Sequence, residues 1–423
     1  MNSNRRTAIA GLALIAFLCS LGARPPAALP GRDIHHTSAE GSRSVEAAFQ
    51  HDSYRPGQTA RLLVRTRTSR LAVQVFRSGP ERETTRRNDM LKGVPATEPA
   101  RYSWPRRGPR TLALRIGKWP TGVYFARLES ADGRVGFAPF IVRPSRLGQS
   151  RVAVVLPTNT WQAYNFRDDD GDGIGDTWYA QRERRTISVV RPFLYRGVPM
   201  RFRSYDLPFL HWLAWTNRAV DYLAQRDLER IVEGRRLRRL YDLIVFPGHH
   251  EYVTTREYDV VTQYRNAGGN LMFLSANNFF WRVDRHSDKL HKIAMWRDLG
   301  RPEAALVGIQ YVTYGSELRG PYEVRNAHAA AWLFAGTGLR RGSRFGTFGI
   351  EIDRTAAASP RGLRVLAEIR NGHGPGKAGQ MTYYETRAGA KVFAAGAFTL
   401  AGSATRSYGA KLLDNLWRHM TRG

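Results

Sequence analysis

The chain has 423 residues, 42% hydrophobic and 11% aromatic, so it is long enough for two domains and can bury substantial cores. This composition excludes a disordered chain. The formal net charge of +29 would attract a polyanion such as nucleic acid or an anionic envelope. The basic residues are nevertheless scattered, without a block of like charges, and we interpret them as a solvated, arginine-rich surface rather than a nucleic-acid site.

The first 23 residues have the features of an export signal. Arg5 and Arg6 are followed by an apolar run over residues 7–23, which also contains Cys19, the single cysteine. We therefore expect an extracytoplasmic protein, periplasmic or secreted, without disulfides or a thiol nucleophile in its mature form. If this signal peptide were retained, it would be the one expected membrane contact. Residues 24–44 are expected to be a linker.

Residues 45–143 have the pattern of an all-β domain. Leu71, Val73 and Val75 alternate with more polar residues, as in a strand with one buried face, and a turn signal of sequence YRPG lies at residues 54–57. Short strands at regular spacing predict a β-sandwich. Residues 144–150 are the expected boundary with a second domain.

Residues 151–423 alternate between buried strands and helices. Apolar strands are expected at residues 151–157, 241–246, 270–282 and 391–399. A helix after the second of these has Thr254 as its cap and Glu257 three positions later, and residues 408–421 form a second amphipathic helix. This alternation predicts a doubly wound parallel sheet. The pattern does not place residues 300–390.

Polar side chains follow three of the predicted strands. Tyr164 and Asn165 follow the first, His249 and Glu251 follow the second, and Asn277 follows the third. Ligands bind beyond the carboxyl ends of parallel strands, so these side chains are expected to share one crevice. A cysteine nucleophile, an HExxH zinc motif, a GxSxG elbow and a P-loop are all missing from the mature sequence. The oxygen donors that remain suit hard metal ions.

The sequence DDDGDGIGD at residues 168–176 is the most specific short motif. Carboxylates at Asp168, Asp170, Asp172 and Asp176 repel one another unless a cation intervenes, and the glycines between them allow a tight turn. This spacing predicts a calcium loop without the helix that would complete an EF-hand. The alternative is an acidic, solvated turn.

The chain resembles the N,N-dimethylformamidase large (beta) subunit family from about residue 45 onwards. The resemblance rests on motifs that occur in the family's order: YRPG (54–57), VFRSGP (75–80), WPTGVYFARL (119–128), NTWQAYN (159–165), HHEYVT (249–254), AGGNLMFLSANNFFWR (267–282), EIDR (351–354) and GAKVFAAGAF (389–398). It implies a β-sandwich followed by a class I glutamine-amidotransferase-like, flavodoxin-like α/β domain.

The resemblance also implies a metal site. Matching the family's motifs assigns a mononuclear iron, as Fe³⁺, to Tyr124, Tyr164 and Glu251. It assigns His249 and Asn277 to positions around the substrate, and Glu351 to a further acidic catalytic position. A small subunit or a homo-oligomer is the implied assembly. The export signal and the acidic loop close behind Tyr164 depart from the family's pattern and leave the substrate open.

Two hypotheses follow. The first is an exported, iron-dependent hydrolase of an amide-like C–N bond, acting on a small amide. The alternative is a non-catalytic exported binding protein, for a glycan or the envelope, that keeps the same scaffold and its aromatic surface.

Overall fold

The computed structural model describes residues 45–421, apart from residues 67, 88–89, 104–109, 182 and 372–373. The predicted signal peptide (1–23) and linker (24–44) lie outside these residues. Within the described part of the chain, none of the helices combines the length and the apolar character that crossing a membrane requires.

The strands are β1 (Glu46–Phe49), β2 (Ser53–Tyr54), β3 (Thr59–Arg65), β4 (Arg70–Arg77), β5 (Val94–Pro95), β6 (Ala100–Ser103), β7 (Arg110–Arg115), β8 (Gly122–Ser130), β9 (Val135–Val142), β10 (Val152–Leu156), β11 (Thr186–Ser188), β12 (Asp221–Ala224), β13 (Leu243–Phe246), β14 (Tyr252–Thr254), β15 (Asn270–Phe273), β16 (Trp281–His286), β17 (Lys289–Met295), β18 (Gln310–Val324), β19 (Arg344–Arg354), β20 (Arg364–Ile369), β21 (Gly379–Glu385), β22 (Lys391–Ala394) and β23 (Ala397–Phe398).

The α-helices are α1 (Thr158–Ala163), α2 (Phe202–Tyr205), α3 (Leu207–Trp215), α4 (Gln225–Glu229), α5 (Leu237–Leu240), α6 (Thr255–Asn266), α7 (Ala304–Val307), α8 (Ala331–Phe334) and α9 (Ser407–Thr421). Short 3-10 turns lie at Gly234–Arg236, Trp296–Leu299, His328–Ala330 and Ala401–Ser403. The cap predicted for α6 is present, since the Thr254 hydroxyl accepts a hydrogen bond from the backbone N–H of Glu257.

The first part of the described chain is a pair of sheets around one apolar core. One sheet has the order β1-β3-β7, and the other has the order β2-β9-β8-β4-β5 with β6 paired to β4. Along β3 every second residue is buried, and Leu62 and Val64 meet Val73 and Leu128 of the other sheet. A period-two pattern buries one face of each sheet, which accounts for the two-layer arrangement.

A ten-stranded sheet forms the centre of the second part, in the order β12-β10-β13-β15-β22-β21-β20-β18-β19-β23. Its first five strands are parallel. Taken in chain order they run 2-1-3-4-5, the order of flavodoxin-like folds. Successive residues of β10 enter apolar clusters on opposite faces of the sheet, Val154 on one and Val155 on the other. The sheet is therefore covered on both sides, as a parallel sheet must be.

The predicted all-parallel sheet is wrong in its second half. β21, β20, β18, β19 and β23 continue the sheet through antiparallel pairs. The long pair β18–β19 lies within residues 300–390, where the sequence pattern did not place the chain. The strand predicted at residues 270–282 is also two strands, β15 and β16, separated by a turn. The fold is thus a β-rich mixture of α and β structure.

Candidate active site

Three tyrosine hydroxyls and one carboxylate meet beyond the carboxyl ends of β10 and β13. The hydroxyls of Tyr164 and Tyr179 donate to the same oxygen of Glu251, Oε2, over 2.9 and 2.8 Å. The hydroxyl of Tyr252 lies 2.5 Å from that of Tyr179. β10 and β13 are the pair at which strand order reverses in a 2-1-3-4-5 sheet, the usual place for a ligand.

The backbone around Glu251 is held from several sides. Its N–H donates to the Thr160 hydroxyl over 3.1 Å. Its carbonyl oxygen accepts from the N–H groups of Phe280 and Trp281, at the start of β16. The buried ring of His250 lies 2.9 Å from the Val155 carbonyl of β10. These contacts explain why a short Pro-Gly turn after β13 delivers the carboxylate to one position.

A second carboxylate, Glu351, reaches the cluster from the antiparallel strand β19. Its Oε1 lies 3.5 Å from the Tyr164 hydroxyl. His249 stands between the two carboxylates, with Nε2 3.3 Å from Glu251 Oε2 and 3.5 Å from Glu351 Oε2. Asn277 hydrogen bonds to Glu351 through its side chain. The structure therefore brings together Tyr164, His249, Glu251 and Asn277, as the strand pattern predicted, and Glu351, as the resemblance implied. Asn165 instead donates hydrogen bonds to Gln162 and Pro192.

Burial is the largest cause of the pKa shifts in this cluster. Desolvation raises the pKa of Glu251 to about 7, and desolvation followed by the charge of Glu251 raises the pKa of Glu351 well above its usual value. Desolvation also lowers the pKa of His249 to about 3, so the ring is neutral at neutral pH. Two carboxyl groups this close cannot both ionise without a compensating cation.

Several buried polar atoms of the cluster have no hydrogen-bond partner: His249 Nε2, Glu251 Oε1, Asn277 Oδ1 and Glu351 Oε2. A buried polar atom without a hydrogen-bond partner costs free energy, and a group of such atoms indicates that a water, an ion or a ligand binds there. Phenol and carboxylate oxygens are the donors that hard cations prefer. The residues present therefore fit a hard metal ion.

The cluster opens into a crevice of about 170 Å³. Tyr164, His249 and Glu351 are among its polar lining residues, and Trp161 and Phe398 are among its apolar ones. A water molecule takes about 30 Å³ in the liquid, so the crevice has room for a small organic molecule.

Tyr124 is not part of this site, and its prediction as a metal ligand is wrong. The ring lies in the core of the sandwich, stacked on Trp119 and next to Phe140. The hydroxyl donates to the carbonyl of Pro120 over 2.8 Å, and burial raises the pKa of this phenol to about 12. Alternation along β8 turns this side chain into the core, away from the crevice.

Tyr179, and not Tyr124, is the second tyrosine beside Tyr164 and Glu251. It stacks on Tyr164 with ring centroids 4.2 Å apart and shares the Glu251 oxygen with it. The local sequence pattern gave no signal for it, because Tyr179 lies in the long connection between α1 and β11, whose packing depends on segments far away in the chain. Tyr252, next to Glu251, was missed for a different reason: neighbouring residues on a strand ordinarily face opposite sides.

The acidic loop folds on itself beside the site. One carboxylate oxygen from each of Asp168, Asp170 and Asp176 lies within 4.8 Å of the others. Asp172 instead accepts hydrogen bonds from the Ile174 backbone and the Gln181 side chain. The guanidinium of Arg184 pairs with Asp170 and Asp176. Calcium binding stays a prediction.

The chain matches the family described as N,N-dimethylformamidase beta subunit-like, C-terminal, over residues 70–410. The N,N-dimethylformamidase beta subunits of an Alcaligenes species and of Paracoccus aminophilus are each 30% identical over 132 residues, which is 31% of this chain and 16% of each relative. A superoxide reductase (neelaredoxin) structure from Ignicoccus hospitalis is 12% identical over 27% of this chain and 93% of that one, with a TM-score of 0.18, too low to support an argument. The family resemblance predicted from the motifs is confirmed.

Proposed function

Because this chain belongs to the N,N-dimethylformamidase beta subunit-like family, we propose that it hydrolyses the C–N bond of a small amide in the crevice beside Glu251. The relatives take their name from dimethylformamide hydrolysis and are beta subunits. For this chain the activity, its export through residues 1–23, and assembly with a small subunit or as a homo-oligomer are proposals. The strand order 2-1-3-4-5 supports the further proposal of a class I glutamine-amidotransferase-like domain.

One observation carries the proposal: two phenols share a carboxylate oxygen in a buried cluster with unsatisfied acceptors. We propose that Tyr164, Tyr179 and Glu251 hold a mononuclear iron ion as Fe³⁺, with Tyr179 in place of Tyr124. Phenolate and carboxylate are hard, anionic donors, which favour the ferric state. When bound, such an ion supplies Lewis acidity that polarises the amide carbonyl and favours deprotonation of water.

His249 transfers the proton from water to the leaving nitrogen, and Glu351, held by Asn277, positions the amide. His249 is kept neutral by burial, so in the tautomer protonated at Nδ1 its Nε2 can accept the proton of the attacking water. The water oxygen joins the carbonyl carbon, the C–N bond breaks, and the leaving nitrogen receives a proton from His249. Glu351 stays protonated in its desolvated position and orients the amide, while Asn277 holds Glu351 through a side-chain hydrogen bond.

Three matched Tyr→Phe variants test the metal site. Purified protein is expected to contain stoichiometric iron and to show a tyrosinate-to-iron absorption band. Tyr164→Phe and Tyr179→Phe each remove a proposed ligand and should lower iron affinity and amide hydrolysis by more than about 10-fold. Tyr124→Phe is the control, because it removes a hydroxyl only from the sandwich core. Iron content by elemental analysis and the absorption spectrum are the measurements.

Two results would contradict the proposal. One is a colourless, metal-free protein that does not gain the band when ferric iron is added. The other is a Tyr124→Phe variant that loses iron while Tyr179→Phe keeps it.

A further inference from the structure

Asp206 is a buried carboxyl group in the crevice that the proposed chemistry does not use. It lies immediately before α3 and is 3% exposed. An Asp at this position ordinarily accepts a hydrogen bond from the second or third N–H of the helix. Here the side chain makes no such bond, and the second helical residue is Pro208, which has no N–H. The carboxyl group is therefore not used in capping, and Asp206 is among the residues that line the crevice.

The two oxygens of Asp206 have different surroundings. Oδ2 accepts a hydrogen bond from the Trp161 indole over 3.3 Å. Oδ1 is buried and has no hydrogen-bond partner. A Cβ added at Gly248 would lie 2.8 Å from Oδ1, so this oxygen faces the backbone just before His249. Asp206 and His249 both line the crevice, so the unsatisfied acceptor lies near the histidine that we propose as the base.

We propose that Asp206 selects the substrate: its Oδ1 accepts a hydrogen bond from an N–H of the amide, so the crevice takes primary and secondary amides in preference to N,N-dialkyl amides. This assignment rests on the proposed amide hydrolysis and names its substrate class. A dialkyl amide has no N–H to donate and would leave the buried oxygen unpaired against a methyl group. Sites built to hydrogen bond a substrate N–H discriminate strongly against analogues that lack it.

The electrostatics of Asp206 agree with this geometry. Desolvation raises its pKa to about 7, and the hydrogen bond from Trp161 is the opposing influence. An N–H donor against Oδ1 would favour the ionised carboxylate, since hydrogen bonding to the charged form lowers a carboxyl pKa. The amide and the carboxylate therefore stabilise each other in the bound state.

The test compares formamide, N-methylformamide and N,N-dimethylformamide with the full-length protein and its Asp206→Asn variant. In the variant, the side-chain oxygen of Asn still accepts the hydrogen bond from Trp161. Its NH₂ group takes the position of Oδ1, so the acceptor is replaced by a donor. Wild-type kcat/KM is expected to fall at least about 10-fold from formamide to the dimethyl amide. Asp206→Asn should remove that preference, chiefly by lowering kcat/KM for formamide at least about 10-fold.

Asp227→Asn is the matched control. Asp227 is also buried and is the third residue of α4, where it takes part in capping, but both of its oxygens are hydrogen bonded, to the Ser53 hydroxyl and to the Ala224 N–H. The substitution should lower the melting temperature without changing the order of the three amides. Circular dichroism checks that each variant folds, and the wild-type order tests the proposal even if Asp206→Asn does not fold.

Binding of the same three amides, measured by ligand-observed NMR, separates this proposal from the proposed reaction. If no amide is hydrolysed but binding follows the number of N–H groups and depends on Asp206, the selection by Asp206 stands and the hydrolase proposal fails. If the dimethyl amide is hydrolysed best by the wild type, or if Asp206→Asn keeps the wild-type order, the proposal for Asp206 is overturned while hydrolysis stands.

Discussion

At the scale of single residues, several carboxyl groups in and around the crevice are buried from water. Asp206, Glu251 and Asp353 each have a pKa raised to about 7, and desolvation is the largest cause in every case. Asp353 is satisfied, because both of its oxygens accept from the backbone N–H of Asn277. Asp206 and Glu251 each keep one unsatisfied oxygen. Burial without full pairing distinguishes the groups available to a ligand from those that support the backbone.

The raised pKa of Asp206 predicts a pH-dependent stability. Below about pH 4 the carboxyl group is protonated in both folded and unfolded protein. Between about pH 4 and 7 the unfolded chain ionises while the native group holds its proton, so the free energy of unfolding falls by up to about 1.4 kcal/mol per pH unit. The stability of the wild type relative to Asp206→Asn should therefore decrease from pH 5 to pH 7 in urea denaturation. An equal difference at both pH values would show that Asp206 has an ordinary pKa.

At the scale of elements, the β18–β19 pair brings a carboxylate across the sheet to the strand ends. The pairing shifts register between Gly315 and Arg319, opposite Gly349 and Ile350 of β19. Ile350 has a φ of +67°, an unusual backbone conformation for a β-branched residue. An irregularity of this kind changes the direction of the neighbouring side chains, and the residue after Ile350 is Glu351. The local strain therefore lies beside the residue that we propose to orient the substrate.

The acidic loop gives a prediction at the same scale. If Ca²⁺ binds the carboxylates of Asp168, Asp170 and Asp176, it must displace Arg184, which already compensates part of their charge. Added Ca²⁺ should then raise the melting temperature, and a chelator should lower it, because an ion that binds only the folded state stabilises it. Asp168→Asn should remove the shift. An unchanged melting temperature with Ca²⁺ and with chelator would leave the loop an acidic turn neutralised by Arg184.

At the scale of the whole molecule, the sandwich and the α/β part share a continuous apolar core. Phe125 and Phe137 of the sandwich belong to the same buried cluster as Leu210 of α3 and Val154 of the central sheet. The junction includes a hydrogen bond from the Phe137 N–H to the Arg196 carbonyl. The two parts are therefore expected to unfold together rather than as independent domains.

Gly197 tests how tightly this junction is packed. Its φ is +91°, and a Cβ there would lie 1.7 Å from the Phe137 carbonyl oxygen. Gly197→Ala should lower the free energy of unfolding by more than about 3 kcal/mol, measured by urea denaturation, because backbone strain and a clash with backbone add together. Gly133 is the control, with a similar φ of +77° and open space around it. Gly133→Ala should lose about 1 kcal/mol, and equal losses at the two sites would contradict a tight junction.

By itself the sequence determines the alternation of the sandwich strands, the buried parallel strands, and the polar residues that follow them, since each is a local pattern of burial along the chain. From these it is possible to predict Tyr164, His249, Glu251 and Asn277 as neighbours. Only the tertiary structure decides that Tyr179 rather than Tyr124 meets Glu251, that β19 supplies its carboxylate from an antiparallel strand, and that Asp206 turns from its helix to the crevice. These depend on contacts between segments far apart in the chain, and the periodicity of a single segment carries no information about which distant segment will pack against it.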